Sequence, residues 1–354
     1  MIESEARQDK SCCIREVTGD IKVKKFLVGA AAALLVGSVA QAADVTELRY
    51  ATAAPENTPW GAYLKTTIGV AEKAAGGSMK IVPYFSSQLG DEQTALRQTV
   101  RGRIDISGQS NTATSLVVPE IALLAAPGLF DNAEQSDCVF DNHVQNLFGP
   151  MLDEKGLILL SYVEVGFGTV FSNVPLPDAA AAKGLKLRVP PSNAATLYWK
   201  EVGAAGVPLG VVDMVPALKT GQVKAIHTST VYGVAIGLPK LAPYVLYDNS
   251  GAHDVGTVTV SKKTWKKLSE QQQQALRTTA NYVGELRKGI RGAEQALLAK
   301  TEQAGAKVIR PEGAALASWQ AASEPAQQAL IREIGGDAPK IWSDILAAKK
   351  ACGG

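Results

Sequence analysis

Lys183-Gly184-Leu185-Lys186-Leu187-Arg188-Val189-Pro190-Pro191-Ser192-Asn193, near the middle of the chain, decides the fold. Lys186 to Val189 reads as a strand, and Ser192 or Asn193 caps a helix through Leu197 and Val202. Ala205 to Leu209 is strand again; Asp213 then caps a helix through Leu218, Gly221 stops it, and Val223 to Ile226 resumes as strand. Strand, helix, strand with short links is the grammar of a parallel sheet covered by helices.

Working outward, the same grammar occupies the first part of the chain. Glu47 to Ala51 is a strand, followed by a loop with Pro55, Asn57 and Pro59 and by a helix from about Gly61 to Ala75 that Gly76-Gly77 ends. Met79 to Phe85 is the next strand, Asp91 caps a helix burying Leu96 and Val100, and after Gly102 the strand Ile104 to Ser107 begins. Gly102-Arg103-Ile104-Asp105 and Gly221-Gln222-Val223-Lys224 thus hold matching places in two α/β units, which implies two lobes with a cleft between them. Further on, Ser269 with Gln272 makes a capping box, and Leu276, Val283, Ile290 and Leu297 recur every seven residues. An unbroken helix from Glu270 to Gln303 would measure roughly 50 Å, enough to brace both lobes, with Gly284, Gly289 and Gly292 as the expected place of a bend.

The N-terminus carries an address. Lys22, Lys24 and Lys25, the apolar run Phe26 to Ala40 and the small-residue site Ala40-Gln41-Ala42 are the parts of a secretory signal peptide, and the run is too short to span a bilayer. Met1 to Asp20 is polar and mixed in charge, so translation is expected to start at Val23, leaving Cys12 and Cys13 out of the exported protein. Cys138 and Cys352 remain, and the sequence reading favours two separate thiols over a bridge. Setting residues 1–42 aside leaves 30 basic against 29 acidic side chains, which argues against nucleic-acid binding and electrostatic membrane attachment.

Familiar catalytic patterns are absent. There is no G-x-S-x-G elbow, no phosphate-binding loop, no S-x-x-K pair, and Gly166-Phe167-Gly168 lacks the third glycine of a dinucleotide fingerprint. His143, His227 and His253 stand apart, without cysteine or paired carboxylate at metal spacing. The expectation is a protein without cofactor or metal, and not an enzyme.

Ser86-Ser87-Gln88-Leu89-Gly90, Gly102-Arg103-Ile104-Asp105, Pro119-Glu120, Pro127-Gly128-Leu129-Phe130 and Lys183 to Pro190 follow in this order, and Ala217-Leu218-Lys219-Thr220-Gly221, Val260-Ser261 and Trp265-Lys266-Lys267-Leu268 come after them. In that series the chain resembles the periplasmic solute receptors of TRAP transporters, the C4-dicarboxylate-type binding proteins. The resemblance implies a two-lobed α/β fold with an interlobe cleft and a long helix spanning both lobes. The expected division is residues 43–165 plus 254–293 as lobe I and 166–253 plus 294–354 as lobe II, after an extension and signal peptide over 1–42. It also implies a periplasmic monomer without membrane insertion after signal cleavage, which captures a small organic acid and hands it to the membrane subunits of a TRAP permease. The alternatives are a receptor for an ABC-type importer and a ligand-binding sensor for a membrane kinase.

The family's carboxylate-binding arginine falls on Arg188, and a guanidinium's planar fork matches a carboxylate as lysine does not. Where the family often has an asparagine, this chain has Thr228, preceded by His227. Sialic-acid receptors carry a second arginine where Gly168 stands, and charged first-lobe groups where Ser110, Asn111 and Ala113 stand, so a smaller or less polar acid is expected. Open α/β sheets bind ligands outside the carboxyl ends of their strands. That places Thr52, Trp60, Gln109, Ser110 and Asn111 in the first-lobe lining, with Trp60 equally readable as a packing residue at a helix start, and Tyr232 and Val211 in the second.

Overall fold

The computed structural model describes residues 45–247 and 253–353, and the export tag, Cys12, Cys13 and the start at Val23 lie outside the described residues. Its strands are β1 (Thr46–Thr52), β2 (Met79–Tyr84), β3 (Ile106–Ser110), β4 (Leu157–Ser172), β5 (Lys186–Val189), β6 (Ala205–Pro208), β7 (Ala225–Ser229), β8 (Tyr244–Tyr247), β9 (His253–Ser261) and β10 (Lys307–Ile309). In one half β1 pairs in parallel with β2 and β3; in the other β5 pairs in parallel with β6 and β7. Antiparallel β4 and β9 join the halves. β9 lies between β3 and the first part of β4, and the last part of β4 pairs with β7 on one side and β8 on the other.

Each half has its own apolar core. Leu48, Leu64, Ile81, Ile106 and Val260 fill the first beneath the Pro59–Ala74 helix; Val170, Leu187, Val189, Tyr198 and Trp199 fill the second beneath the Asn193–Val202 helix. The strand crosses between them at Gly166, whose φ of 114° admits few side chains and where an added Cβ would lie 2.6 Å from Glu294 Oε1. Glu294, on the Val283–Gln303 helix, accepts the backbone N–H of Phe167 at 3.0 Å. One turn earlier on that helix, Arg291 forks onto both Glu164 of β4 and Asp137. The helix therefore grips the crossing strand on both sides of the glycine.

Strands β3 and β7 begin two residues later than the sequence patterns predict, and for one reason. Gly102 and Gly221 sit at φ 75° and 73° and end their helices, and the residues after them stay bonded to the helix end. Arg103 N donates to Gln98 O at 2.9 Å and Val223 N to Ala217 O at 3.3 Å, so the ladder starts beyond them. The consequence is functional, since it carries Gln109 and Ser110 into β3 and Thr228 and Ser229 into β7. Asp213 does not cap through its side chain; Val211–Asp213 forms a 3-10 turn that leads into the Met214–Lys219 helix.

The predicted continuous helix from Glu270 is broken, and not at its glycines. Glu270–Arg277, with its capping box intact, gives way to a 3-10 stretch at Thr278–Tyr282 before Val283–Gln303. Thr278 and Thr279 hydroxyls donate back to the carbonyls of Ala275 and Leu276 at 2.6 and 2.7 Å, and the Tyr63 hydroxyl donates to the Thr279 carbonyl at 3.3 Å. Side chains that compete for helix carbonyls in this way bend helices. Gly284, Gly289 and Gly292 all remain inside the regular segment.

The last helix, Ala338–Ala351, packs Ile345 and Ala348 into the cluster of Val139, Phe140 and Phe148 in the first half. Cys352 beyond it is bonded to Cys138, which overturns the expectation of two separate thiols. Burial of that helix face brings together residues 214 positions apart, a proximity no local pattern encodes.

Candidate functional site

The loops at the carboxyl ends of β1, β3, β5 and β7 meet around one cavity of ≈130 Å³, space for on the order of ten waters. Thr58 caps the Pro59–Ala74 helix after β1, which presents Trp60 and Tyr63 to the cavity. Ser110 ends β3 and caps the short Asn111–Thr114 helix. Arg188 stands near the end of β5, and β7 runs through Thr228 into the Thr230–Ala235 helix that carries Tyr232.

Nine of the ten residues expected at the site line this cavity: Thr52, Trp60, Gln109, Ser110, Asn111, Arg188, Val211, Thr228 and Tyr232. Several of their polar groups are committed to the scaffold. Asn111 Nδ2 donates to the Ile121 carbonyl at 2.8 Å, Gln109 Nε2 to the hydroxyls of Thr257 and Thr259, and Trp60 Nε1 to the Glu164 carbonyl at 2.9 Å. Trp60 thus stands at the helix start with its N–H bonded to β4 and its ring on the cavity lining.

Arg188 is different in kind. It is 2% exposed, its Nε donates to the Leu209 carbonyl at 2.9 Å and its Nη1 to the His227 carbonyl at 2.5 Å, and among the described residues it has no ion-pair partner. Two of its five N–H bonds are spent orienting the fork on backbone carbonyls. Burial pushes the guanidinium down to about 10, with Glu92, Tyr232, Asp254 and Asp213 acting in the opposite direction, so it stays charged at neutral pH. A buried cation with no direct counter-ion favours any anion that can reach it.

His227 does not line the cavity. Because side chains alternate along β7, its ring turns away from the cavity, where Nδ1 accepts the indole N–H of Trp199 at 3.1 Å; only its carbonyl serves Arg188. Burial, then the nearby Arg188 charge, push the imidazole down to about 3 from its ordinary 6.5. The folded protein therefore keeps His227 neutral while an unfolded chain protonates it, so protons favour unfolding as pH falls below about 6.5 and continue to do so until about 3. The loss approaches ~1.4 kcal/mol per pH unit for this one group. His227→Gln, which keeps an acceptor for Trp199, is expected to flatten the fall in stability between pH 6.5 and 4.5 in urea titrations. An unchanged slope would refute the assignment. Glu92, raised in the fold, contributes with the opposite sign but is common to both proteins and drops out of the comparison.

Glu92 is a charged cavity residue that sequence reasoning missed, as is Asp254. It opens the Glu92–Arg101 helix, where an acid next to the capping Asp91 passes for a partner of the helix dipole. In the structure it lines the cavity with Arg188, its Oε1 and Oε2 accepting the Ser110 N–H and hydroxyl at 2.8 Å each. Burial raises its carboxyl above the ordinary range, against the lowering effect of Ser110 and Arg188. Tyr232 feels both partners: burial and Glu92 push its phenol up to about 12, Arg188 pulls it down.

The sequence pattern of the family described as "Bacterial extracellular solute-binding protein, family 7" matches residues 50–333. The chain belongs to this family. It is a solute receptor of the TRAP-transporter class, with that class's two-lobed α/β architecture. A solute-binding protein of Chromohalobacter salexigens is 23% identical over 319 residues, 85% of this chain and 89% of its own length. In fold, the sugar acid binding protein of Advenella mimigardefordensis in complex with galactonate superposes at a TM-score of 0.81 with 22% identity, over 87% of this chain and 100% of that one. A TRAP periplasmic solute-binding protein from Bordetella bronchispeptica, whose ligand density is assigned to pantoate, superposes at 0.78 with 22% identity, covering 86% and 98%. Among the described residues of this receptor no helix is long and apolar enough to cross a membrane.

Proposed function

We propose that this receptor works in the periplasm, holds a small organic acid by its carboxylate on Arg188, and delivers it unaltered to the membrane subunits of a TRAP permease. The observation that carries the reading is the guanidinium itself: buried to 2% exposure, aimed by two backbone carbonyls, lacking an ion-pair partner among the described residues and facing the cavity. The galactonate and pantoate attributed to structural relatives are both carboxylates, which supports an acid as the ligand class.

In this reading residues 43–165 with 254–293 and residues 166–253 with 294–354 close on the ligand as two lobes, turning at Gly166. The final helix is an exception, because the Cys138–Cys352 bond carries it with the first lobe. Ligand binding drives closure only by favouring the closed form. A thermal-shift screen of the purified, signal-less protein against monocarboxylates, dicarboxylates, keto acids and sugar acids is expected to show saturable stabilisation by at least one acid. Mass spectrometry of the recovered ligand should return it unchanged. Stabilisation by none of these acids, or conversion of the bound one, would reject the reading.

A further inference from the structure

The charge count of the cavity wall narrows the ligand. Among the described lining residues Arg188 is the one cation, and the formally charged groups that share the wall with it are the carboxylates of Glu92 and Asp254. A ligand with one carboxylate can dock on Arg188; a second carboxylate would have to settle beside these acids with no cation to receive it. Glu92 is also fixed in place, each oxygen held by Ser110 at 2.8 Å, yet each keeps a lone pair that a donor can use.

Part of the lining is apolar. Trp60 Nε1 and the Tyr63 hydroxyl are committed to the carbonyls of Glu164 and Thr279, so these side chains offer ring faces, alongside Val163, Val258 and Leu286. Multiple hydroxyls packed against that part would lose hydrogen bonds to water without replacement.

We infer that the ligand is a monocarboxylate bearing a hydroxyl close to its acid group and a compact apolar remainder, with Glu92 as the specificity-determining residue that accepts the hydroxyl and rejects a second carboxylate. This rests on the placement of the ligand carboxylate on Arg188. Burial raises the Glu92 carboxyl, and the charged or titratable groups around it are Asp91 on its own turn, Arg188 from β5, Tyr232 and Asp254; pH 8 therefore gives the sharpest test, because it favours the carboxylate form.

Calorimetric titration at pH 8 with four probes decides the matter: 2-hydroxy-3-methylbutanoate, 3-methylbutanoate, malate and galactonate. The hydroxy monocarboxylate is expected to bind best, with the deoxy acid and galactonate at least tenfold weaker and malate at least a hundredfold weaker. Glu92→Gln, which keeps the shape and removes the charge, should narrow the gap to malate at least tenfold without lowering the melting temperature. If any of the other three probes binds within threefold of the hydroxy acid, or the malate gap is the same in Glu92→Gln, the inference falls while the receptor reading stands. If no carboxylate binds, the placement on Arg188 falls with it.

Discussion

Arg188→Ala is expected to abolish stabilisation by the cognate acid, with affinity lowered between roughly a hundredfold and ten-thousandfold. Charge-assisted hydrogen bonds contribute about 1.5–3 kcal/mol each, and a carboxylate on the open side of the fork makes two of them. The same substitution leaves the buried carbonyl of His227 without its donor, at about 1–3 kcal/mol, and the half-buried carbonyl of Leu209 at less, but it also removes a buried charge that has no direct counter-ion among the described residues. The two effects oppose one another, so the unliganded variant should keep its circular dichroism and a cooperative transition. Arg188→Lys supplies the control: it preserves charge, loses the planar fork, and should weaken binding at least tenfold. Wild-type affinity in either variant would show that the carboxylate sits elsewhere.

The place of Arg188 was legible because its signal is local, whereas the ligand role given to it came from the family resemblance alone. The Lys186–Val189 strand, the glycine ahead of it and the capped helix after it fix which residue stands near the end of β5. The same holds for the glycine-stopped helices of both halves, whose boundaries are set by residues within a few positions. Contributions from distant parts of the chain were not legible. Glu92 faces Arg188 only because β4 and β9 tie the two halves together, and in its own neighbourhood it looks like any first-turn acid. The break at Thr278–Tyr282 combines the back-bonding threonine hydroxyls with a hydrogen bond from Tyr63, more than two hundred residues away, whereas the glycines that looked like weak points lie in a helix held by Glu164, Asp137 and Asp141 through Arg287 and Arg291. Propensity marks where a helix can bend; tertiary bonds select where it does.

Removing the Cys138–Cys352 bond should produce the largest loss of stability of any change outside the cavity. A crosslink between residues 214 apart confines the unfolded chain strongly, and the loop-entropy relation gives about 5 kcal/mol, with about 2–5 kcal/mol the usual range for native bonds. The double variant Cys138→Ser/Cys352→Ser isolates this effect because it leaves no free thiol, and urea titration at neutral pH measures it. Other contacts of the last helix persist in the variant: Ile345 and Ala348 remain in the apolar cluster, and Lys349 still meets Asp131 at 2.8 Å. The helix should therefore stay docked in the folded state, and the loss should appear as a lower transition midpoint. Neither cysteine lines the cavity, so acid affinity is expected to change less than threefold. Reducing agent should bring the wild type down to the level of the double variant and leave the variant itself unchanged. Equal midpoints for oxidised wild type and double variant would mean that the protein does not carry the bond.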